Sequence, residues 1–169
     1  INVQGWIKEG GPRLDAADAR RARKRGVDVL ARRVVQKPWR IEPAQLDGID
    51  IACMSTEDLL DQGDLLARFR EVVPVVAVTN GEHGSSIFVD DGCWEVGAFD
   101  TDVADPTGAG DVFTATLLNR ILCGDSAPDA ARFASAAASV AIEGRGPEAL
   151  ERLGEAAGRA ELISVDRVT

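Results

Sequence analysis

The chain has 169 residues, 45% of them hydrophobic, and a net charge of −9. That allows one core of ordinary domain size, and a uniformly acidic surface repels nucleic-acid phosphates, so no nucleic-acid partner is expected. No apolar run approaches the roughly 18 residues that span a bilayer. Ile1-Asn2-Val3-Gln4-Gly5-Trp6 lacks a secretory pattern, and Cys53, Cys93 and Cys123 form no CxxC pair. A cytoplasmic location with no membrane partner is therefore expected.

Ile1-Asn2-Val3 read as the end of a strand that begins before this chain, which opens on Ile rather than Met. Gly10-Gly11-Pro12 is a break, and the Ala- and Arg-rich residues 15–25 are compatible with a helix. Residues 13–33 hold eight Lys/Arg against three Asp. They read as a solvated basic insertion or as a docking surface for an anionic partner. Residues 27–35 (VDVLARRVV) read as a strand or short helix, and Pro38 and Pro43 bound a connection.

Residues 49–54 (IDIACM) read as a short buried strand. Ser55 with Asp58 three positions on comes close to a capping box, opening a helix with Leu59, Leu60, Leu66 and Phe69 on its apolar side. Residues 72–79 (VVPVVAVT) are a nearly continuous β-branched run, as expected of a strand covered on both faces. Residues 85–90 and 93–98 are joined at Asp91-Gly92, a strong hairpin signal. The lone histidine, His83, falls between Gly81-Glu82 and Gly84 and reads as a turn residue.

Gly108-Ala109-Gly110 opens a helix with Phe113, Leu117 and Ile121 on one side, stopping at Gly124. Pro128 opens a second, Ala-rich helix that runs to about Ile142 and ends at Gly144-Arg145-Gly146-Pro147. Strand, helix, strand, hairpin and two helices make an α/β protein. The glycine turn lies where open sheets bind ligands.

That turn carries the chemistry. Small residues let backbone approach a ligand closely. N–H groups at a helix start lack intrahelical partners, and the helix dipole adds positive charge there, which together make an anion hole. Asp111, in the first turn, is placed to accept a proton from an attacking hydroxyl, help typically worth about 10²–10⁴ in rate. A glycine pair and an acidic residue also occur at helix starts for the dipole alone. No Lys-Ser/Thr follows, so this is not a Walker A loop.

The longer run Asp105-Pro106-Thr107-Gly108-Ala109-Gly110-Asp111-Val112-Phe113 closely resembles the C-terminal motif of the ribokinase-like (PfkB) carbohydrate kinases. Val78-Thr79-Asn80-Gly81-Glu82-His83-Gly84-Ser85 resembles the nucleotide-binding turn of that family, and Ser55-Thr56-Glu57-Asp58 falls where members carry Asn-x-x-Glu. Thr79-Asn80-Gly81, the 105–111 motif and Gln4-Gly5-Trp6 are most similar to inositol-kinase-like members. The resemblance implies the C-terminal part of a three-layer α/β/α fold with a mostly parallel sheet. Residues 1–169 would form one partial domain, with 13–33 longer and more basic than usual.

The resemblance also implies roles. Asp111 is the catalytic base, and the N–H groups of Gly108, Ala109 and Gly110 stabilise the transferring phosphoryl group. Thr79 and Gly81 line the nucleotide, and Ser135 sits beside adenine. Asp58 acts on Mg²⁺ through water, although Asp is a methylene shorter than Glu. Asp105 and the Thr107 carbonyl bind a monovalent cation, K⁺. ATP and Mg²⁺ are the implied cofactors, and a sugar or cyclitol is the implied acceptor. The match covers roughly the C-terminal half of the family pattern, and most acceptor-binding residues belong to the other half. Little or no turnover is therefore expected of this chain alone, and an unpaired sheet edge invites homo-oligomer formation. The other class of reading is a truncated, non-catalytic nucleotide-binding or protein-interaction module that uses the 13–33 segment.

Overall fold

The computed structural model describes residues 34–36, 49–59, 64–90 and 92–168. The expected strand at 1–3, helix at 15–25, basic segment 13–33, Leu60 and Asp91 lie outside the described residues.

Six strands form one sheet in the order β1-β2-β3-β4-β5-β6. They are β1 (Val34–Gln36), β2 (Ile51–Ser55), β3 (Val75–Thr79), β4 (Ser85–Val89), β5 (Gly92–Val96) and β6 (Val165–Val168). β1, β2 and β3 run parallel, with Ile51 opposite Val75 and Ser55 opposite Thr79. From β3 onward each pairing is antiparallel. Parallel pairing is thus confined to one flank of the described sheet, because the turns joining β3 to β4 and β4 to β5 are both too short for a parallel crossover.

Period-two alternation assigns side chains to two faces. Ile51, Cys53, Ala77, Ile87 and Val96 meet α3 (Ala109–Leu122), α4 (Ala127–Ala141) and α5 (Ala156–Ala160) through Phe113, Leu117, Ala130, Ala134 and Ala160. Ala52, Met54, Val76 and Val78 meet α2 (Leu65–Val72) through Leu65 and Phe69. The result is the expected three-layer arrangement. Phe69 is 0% exposed, and truncating such a buried Phe to Ala costs about 3–5 kcal/mol.

The sequence suggested a single helix after Ser55. The chain instead forms a single turn, α1 (Thr56–Leu59), and then the separate α2. The apolar run 72–79 is also divided. Val72 closes α2, Val73 donates its N–H to the Phe69 carbonyl at 2.8 Å, and β3 starts only after Pro74, whose missing N–H suits the edge of a strand better than its interior.

The Ala-rich α4 begins where Ser126 Oγ accepts the Asp129 N–H at 3.3 Å, with Pro128 in the first turn. Its buried face is almost all alanine, with Ala130, Ala131, Ala134 and Ala137 shielded, and α3 packs along it. Gly124, at φ +100°, ends α3 as expected. A 3₁₀ segment (Gly146–Glu155), α5 and β6 follow, for which the sequence analysis assigned nothing.

Candidate phosphate-binding site

The C-terminal ends of β2 and β3 lie side by side and present the two loops of interest. Ser55 and Asp58 form a reciprocal cap on α1. The Ser55 N–H and hydroxyl both donate to Asp58 Oδ2 at 2.8 Å, and the Asp58 N–H donates to Ser55 Oγ at 3.2 Å. The adjacent Thr56 hydroxyl reaches Asn80 Oδ1 at 3.1 Å, tying this turn to the one after β3. Thr79 Oγ1 donates to the Met54 carbonyl at 3.3 Å, so its hydroxyl cross-links the two parallel strands.

The turn after β3 closes tightly. Gly81–His83 form a 3₁₀ turn in which the His83 N–H reaches the Asn80 carbonyl at 3.0 Å and the Gly84 N–H reaches Gly81 at 3.2 Å. Gly81 has φ +55° and open space around it, which leaves its backbone accessible. Gly84 differs, because a Cβ there would stand 2.0 Å from the Val96 carbonyl oxygen. Ser85, next to it, is 2% exposed, and its hydroxyl has no hydrogen-bond partner among the described residues. Thr79 and Ser85 are opposite one another and face the α3–α4 layer.

The Asp105–Asp111 turn is built from local bonds. Asp105 Oδ1 accepts the Thr107 N–H at 2.9 Å, and the Thr107 hydroxyl, followed by this N–H, holds the carboxyl below its ordinary range. Ala109 donates to the Pro106 carbonyl at 3.2 Å. Gly108 is the N-cap of α3 with φ +86° and ψ 0°, the left-handed conformation that favours glycine. No side chain caps α3, so its first-turn N–H groups face outward with the positive end of the dipole. Of the three expected donors, the Ala109 N–H is already engaged within the turn. Gly110 and Asp111 are exposed in the first turn of α3. The positive end of the helix dipole is thus left without a side-chain cap, beside an exposed carboxylate.

The turn is also anchored from behind. The Ala104 and Asp105 N–H groups both donate to the Ile142 carbonyl, at 2.8 and 3.1 Å. The next residue, Glu143, collects hydrogen bonds from the Thr101 hydroxyl, from Arg159 Nη1 and Nη2 at 2.7 and 2.9 Å, and from Arg152 Nη2 at 2.9 Å. Nothing in the local sequence pattern pointed to this network.

The profile of the pfkB family carbohydrate kinases matches residues 31–152. The chain belongs to this family. A nucleoside kinase of Methanothermobacter thermautotrophicus is 40% identical over 80 residues, covering 47% of this chain and 26% of that protein. The ribokinase of Arabidopsis thaliana, solved with ribose and ATP, superposes with a TM-score of 0.60 at 26% identity over 80% of this chain and 50% of that one. The nucleoside kinase of Burkholderia thailandensis, solved with ADP-inosine, reaches 0.68 at 23% identity over 94% of this chain and 50% of that one. The chain therefore spans about half the length of the solved kinases it matches. The ribokinase-like α/β fold expected from the motif is the one present.

Within this fold, the C-terminal ends of β2 and β3 and the turns that follow them bring Ser55, Asp58, Thr79 and Gly81 into one region of the sheet's end. Ser135 lies on α4, half-buried, among alanines. Among the described residues no cluster of three His, Cys, Asp or Glu could hold a metal ion. A magnesium ion carried in by nucleotide phosphates needs no such cage, since Mg²⁺ keeps much of its water. No described helix is long and apolar enough to cross a membrane.

Proposed function

We propose that this chain is the phosphate-handling half of an ATP-dependent kinase that phosphorylates a hydroxyl of a sugar, nucleoside or cyclitol. The observation that carries the reading is the start of α3: a left-handed Gly108 cap, no capping side chain, and exposed Asp111 in the same turn. Asp111 takes the proton of the acceptor hydroxyl as that oxygen attacks the terminal phosphoryl group. The N–H groups of Gly108 and Gly110 face the charge that grows there, while that of Ala109 stays on the Pro106 carbonyl and fixes the turn. Electrostatic stabilisation of this kind supplies most of the acceleration in phosphoryl transfer.

Thr79 and Gly81 present backbone to the nucleotide, and Ser135 lies on the helix expected to flank adenine. Asp58 serves primarily as a helix cap, and a water-mediated role toward Mg²⁺ uses what its cap leaves open. Asp105 and the Thr107 carbonyl offer oxygens to K⁺. The acceptor class draws on the nucleoside kinases and the ribose-bound ribokinase above. The finer likeness to inositol kinases bears only on which ring is used.

The test has two parts. Mg·ATP binding to the purified chain, followed by calorimetry, should weaken at least ten-fold on Gly110→Val, whose side chain fills the approach to the helix start. In a longer protein that also carries the half present in the relatives, Asp111→Asn should lower kcat by about 10²–10⁴ while leaving the nucleotide KM nearly unchanged. Unchanged turnover in that variant would remove Asp111 from the mechanism.

A further inference from the structure

The segment Phe99–Asp105 leads straight into the phosphate turn, and it is fastened at three points, one to α5 and two just past the end of α4. Phe99 lies under the Arg159 guanidinium, 4.9 Å from ring centroid to Cζ. Thr101 donates its hydroxyl to Glu143 Oε1. Ala104 and Asp105 donate their N–H groups to the Ile142 carbonyl. Glu143 is the centre of this arrangement. Its side chain is 16% exposed and that of Arg159 is 11% exposed. Arg159 grips both carboxylate oxygens in a fork, the geometry that fixes a direction as well as a distance. Arg159 also donates to Ser139 Oγ at 3.1 Å, inside α4, and to Glu155 Oε2 at 2.9 Å. Arg152 bridges Glu143 and Glu155 from the 3₁₀ segment.

Two consequences follow from the chain path. Glu143 immediately precedes Gly144-Arg145-Gly146, so whatever holds Glu143 also sets where that loop begins. Asp105 is six residues from Asp111, and bonds at Asp105–Thr107 and Pro106–Ala109 leave the intervening turn little freedom. A shift of the 101–105 segment is therefore passed on to the start of α3.

We propose that Glu143, held by Arg159, is a positioning residue that clamps the Asp105–Asp111 phosphate turn and the Gly144–Gly146 loop in one fixed relation. The inference rests on the reading of that turn as the nucleotide-phosphate site. Glu143 itself touches neither nucleotide nor acceptor. It acts through Thr101 and through the Ile142 carbonyl, and it completes a site whose anion-binding groups are backbone and so cannot be placed by side-chain rotation.

The experiment measures amide hydrogen exchange and Mg·ATP affinity on the same chain. The variants are Glu143→Gln, which removes the charge, and the milder Thr101→Val, which removes one hydroxyl from the clamp and keeps shape. Phe69→Leu, on the opposite face of the sheet, is the stability control. Clamp variants should speed exchange at Ala104 and Asp105 at least ten-fold beyond the change at Val73, and weaken Mg·ATP at least ten-fold. Phe69→Leu should change Ala104, Asp105 and Val73 in step and leave affinity within two-fold. The proposal is overturned if the clamp variants merely lower the melting temperature, with exchange rising uniformly and affinity retained. If the unaltered chain binds no Mg·ATP, the kinase-half reading fails by itself, and the exchange pattern still decides whether Glu143 holds the turn.

Discussion

Gly84 and Gly108 have nearly the same φ, +88° and +86°, yet substitution by alanine should have unequal effects. At Gly108 an added Cβ meets nothing within 4 Å. Only the backbone conformation resists, and a non-glycine residue held left-handed costs about 1–2 kcal/mol. For a domain of this size each kcal/mol lowers Tm by about 2–4 °C, so Gly108→Ala should lower it by about 2–8 °C. At Gly84 the Cβ would stand 2.0 Å from the Val96 carbonyl oxygen and 2.8 Å from the Gly97 carbonyl carbon. Both are backbone atoms, so relief requires β4 and β5 to part where Ser85 is opposite Val96. Backbone strain plus a lost strand end amounts to about 3–5 kcal/mol, a large share of a marginal domain's total. Urea unfolding followed by circular dichroism gives both stabilities, and calorimetry gives the affinity for Mg·ATP. Gly108→Ala should stay folded and bind more weakly, whereas Gly84→Ala should fail mainly in folding. Equal destabilisation by the two substitutions would refute the assignment of one glycine to strand closure and the other to the ligand.

The Glu143 carboxyl is lowered from 4.5 to about 2, chiefly by the Arg159 hydrogen bonds. At about 1.4 kcal/mol per unit, trimmed for the half-exposed Arg152, this is about 2–3 kcal/mol of stability. A lowered carboxyl contributes fully above its unfolded value and loses that contribution as pH falls toward its folded value. The urea midpoints of the parent chain and Glu143→Gln should therefore differ at pH 7 and converge between about pH 4.5 and 2; a gap independent of pH would count against the ion pair. Burial pushes the Cys53 thiol up to about 12, so a maleimide should label exposed Cys123 first and reach Cys53 only on unfolding, as mass spectrometry of the labelled peptides would reveal. Asp58→Ala should cost about 1 kcal/mol through its cap with Ser55, and a stability unchanged in thermal melts would mean that the cap contributes nothing.

The elements legible in the sequence were those specified by neighbours in the chain. The hairpin follows from alternation on each side of a Gly-containing turn, and the Ser55–Asp58 cap spans three residues. The left-handed cap of α3 could be read from Gly108 because few other residues adopt that conformation. The Glu143 network was illegible for the opposite reason. Its bonds span 42 residues to Thr101 and 16 to Arg159, and nothing in the local pattern selects those partners among many charged residues. Splitting of the 56–72 helix was also hidden, since Leu59, Leu66 and Phe69 suit one amphipathic helix as well as two. The edge strand β6 has an exposed Asp166-Arg167-Val168 run and offers little apolar alternation. Its partner is fixed by pairing with β5, a tertiary fact.

The bonds that shape the Asp105–Asp111 turn also bear on what this chain can do alone. The Asp105–Thr107 and Pro106–Ala109 contacts are local. The Ile142 and Glu143 anchors lie at the C-terminal cap of α4 and just past it, and α4 packs on α3 through small side chains that leave little slack. Every one of these contacts is made between residues of this chain. A site of fixed backbone donors binds charge well because little ordering remains to be done when the ligand arrives. On the function proposed above, nucleotide binding should therefore be largely preformed here, whereas turnover would also need the acceptor to be held in line with Asp111. Binding without turnover is thus the expected behaviour of the isolated chain. In a protein that also carries the half present in the relatives, kcat should rise far more than Mg·ATP binding tightens.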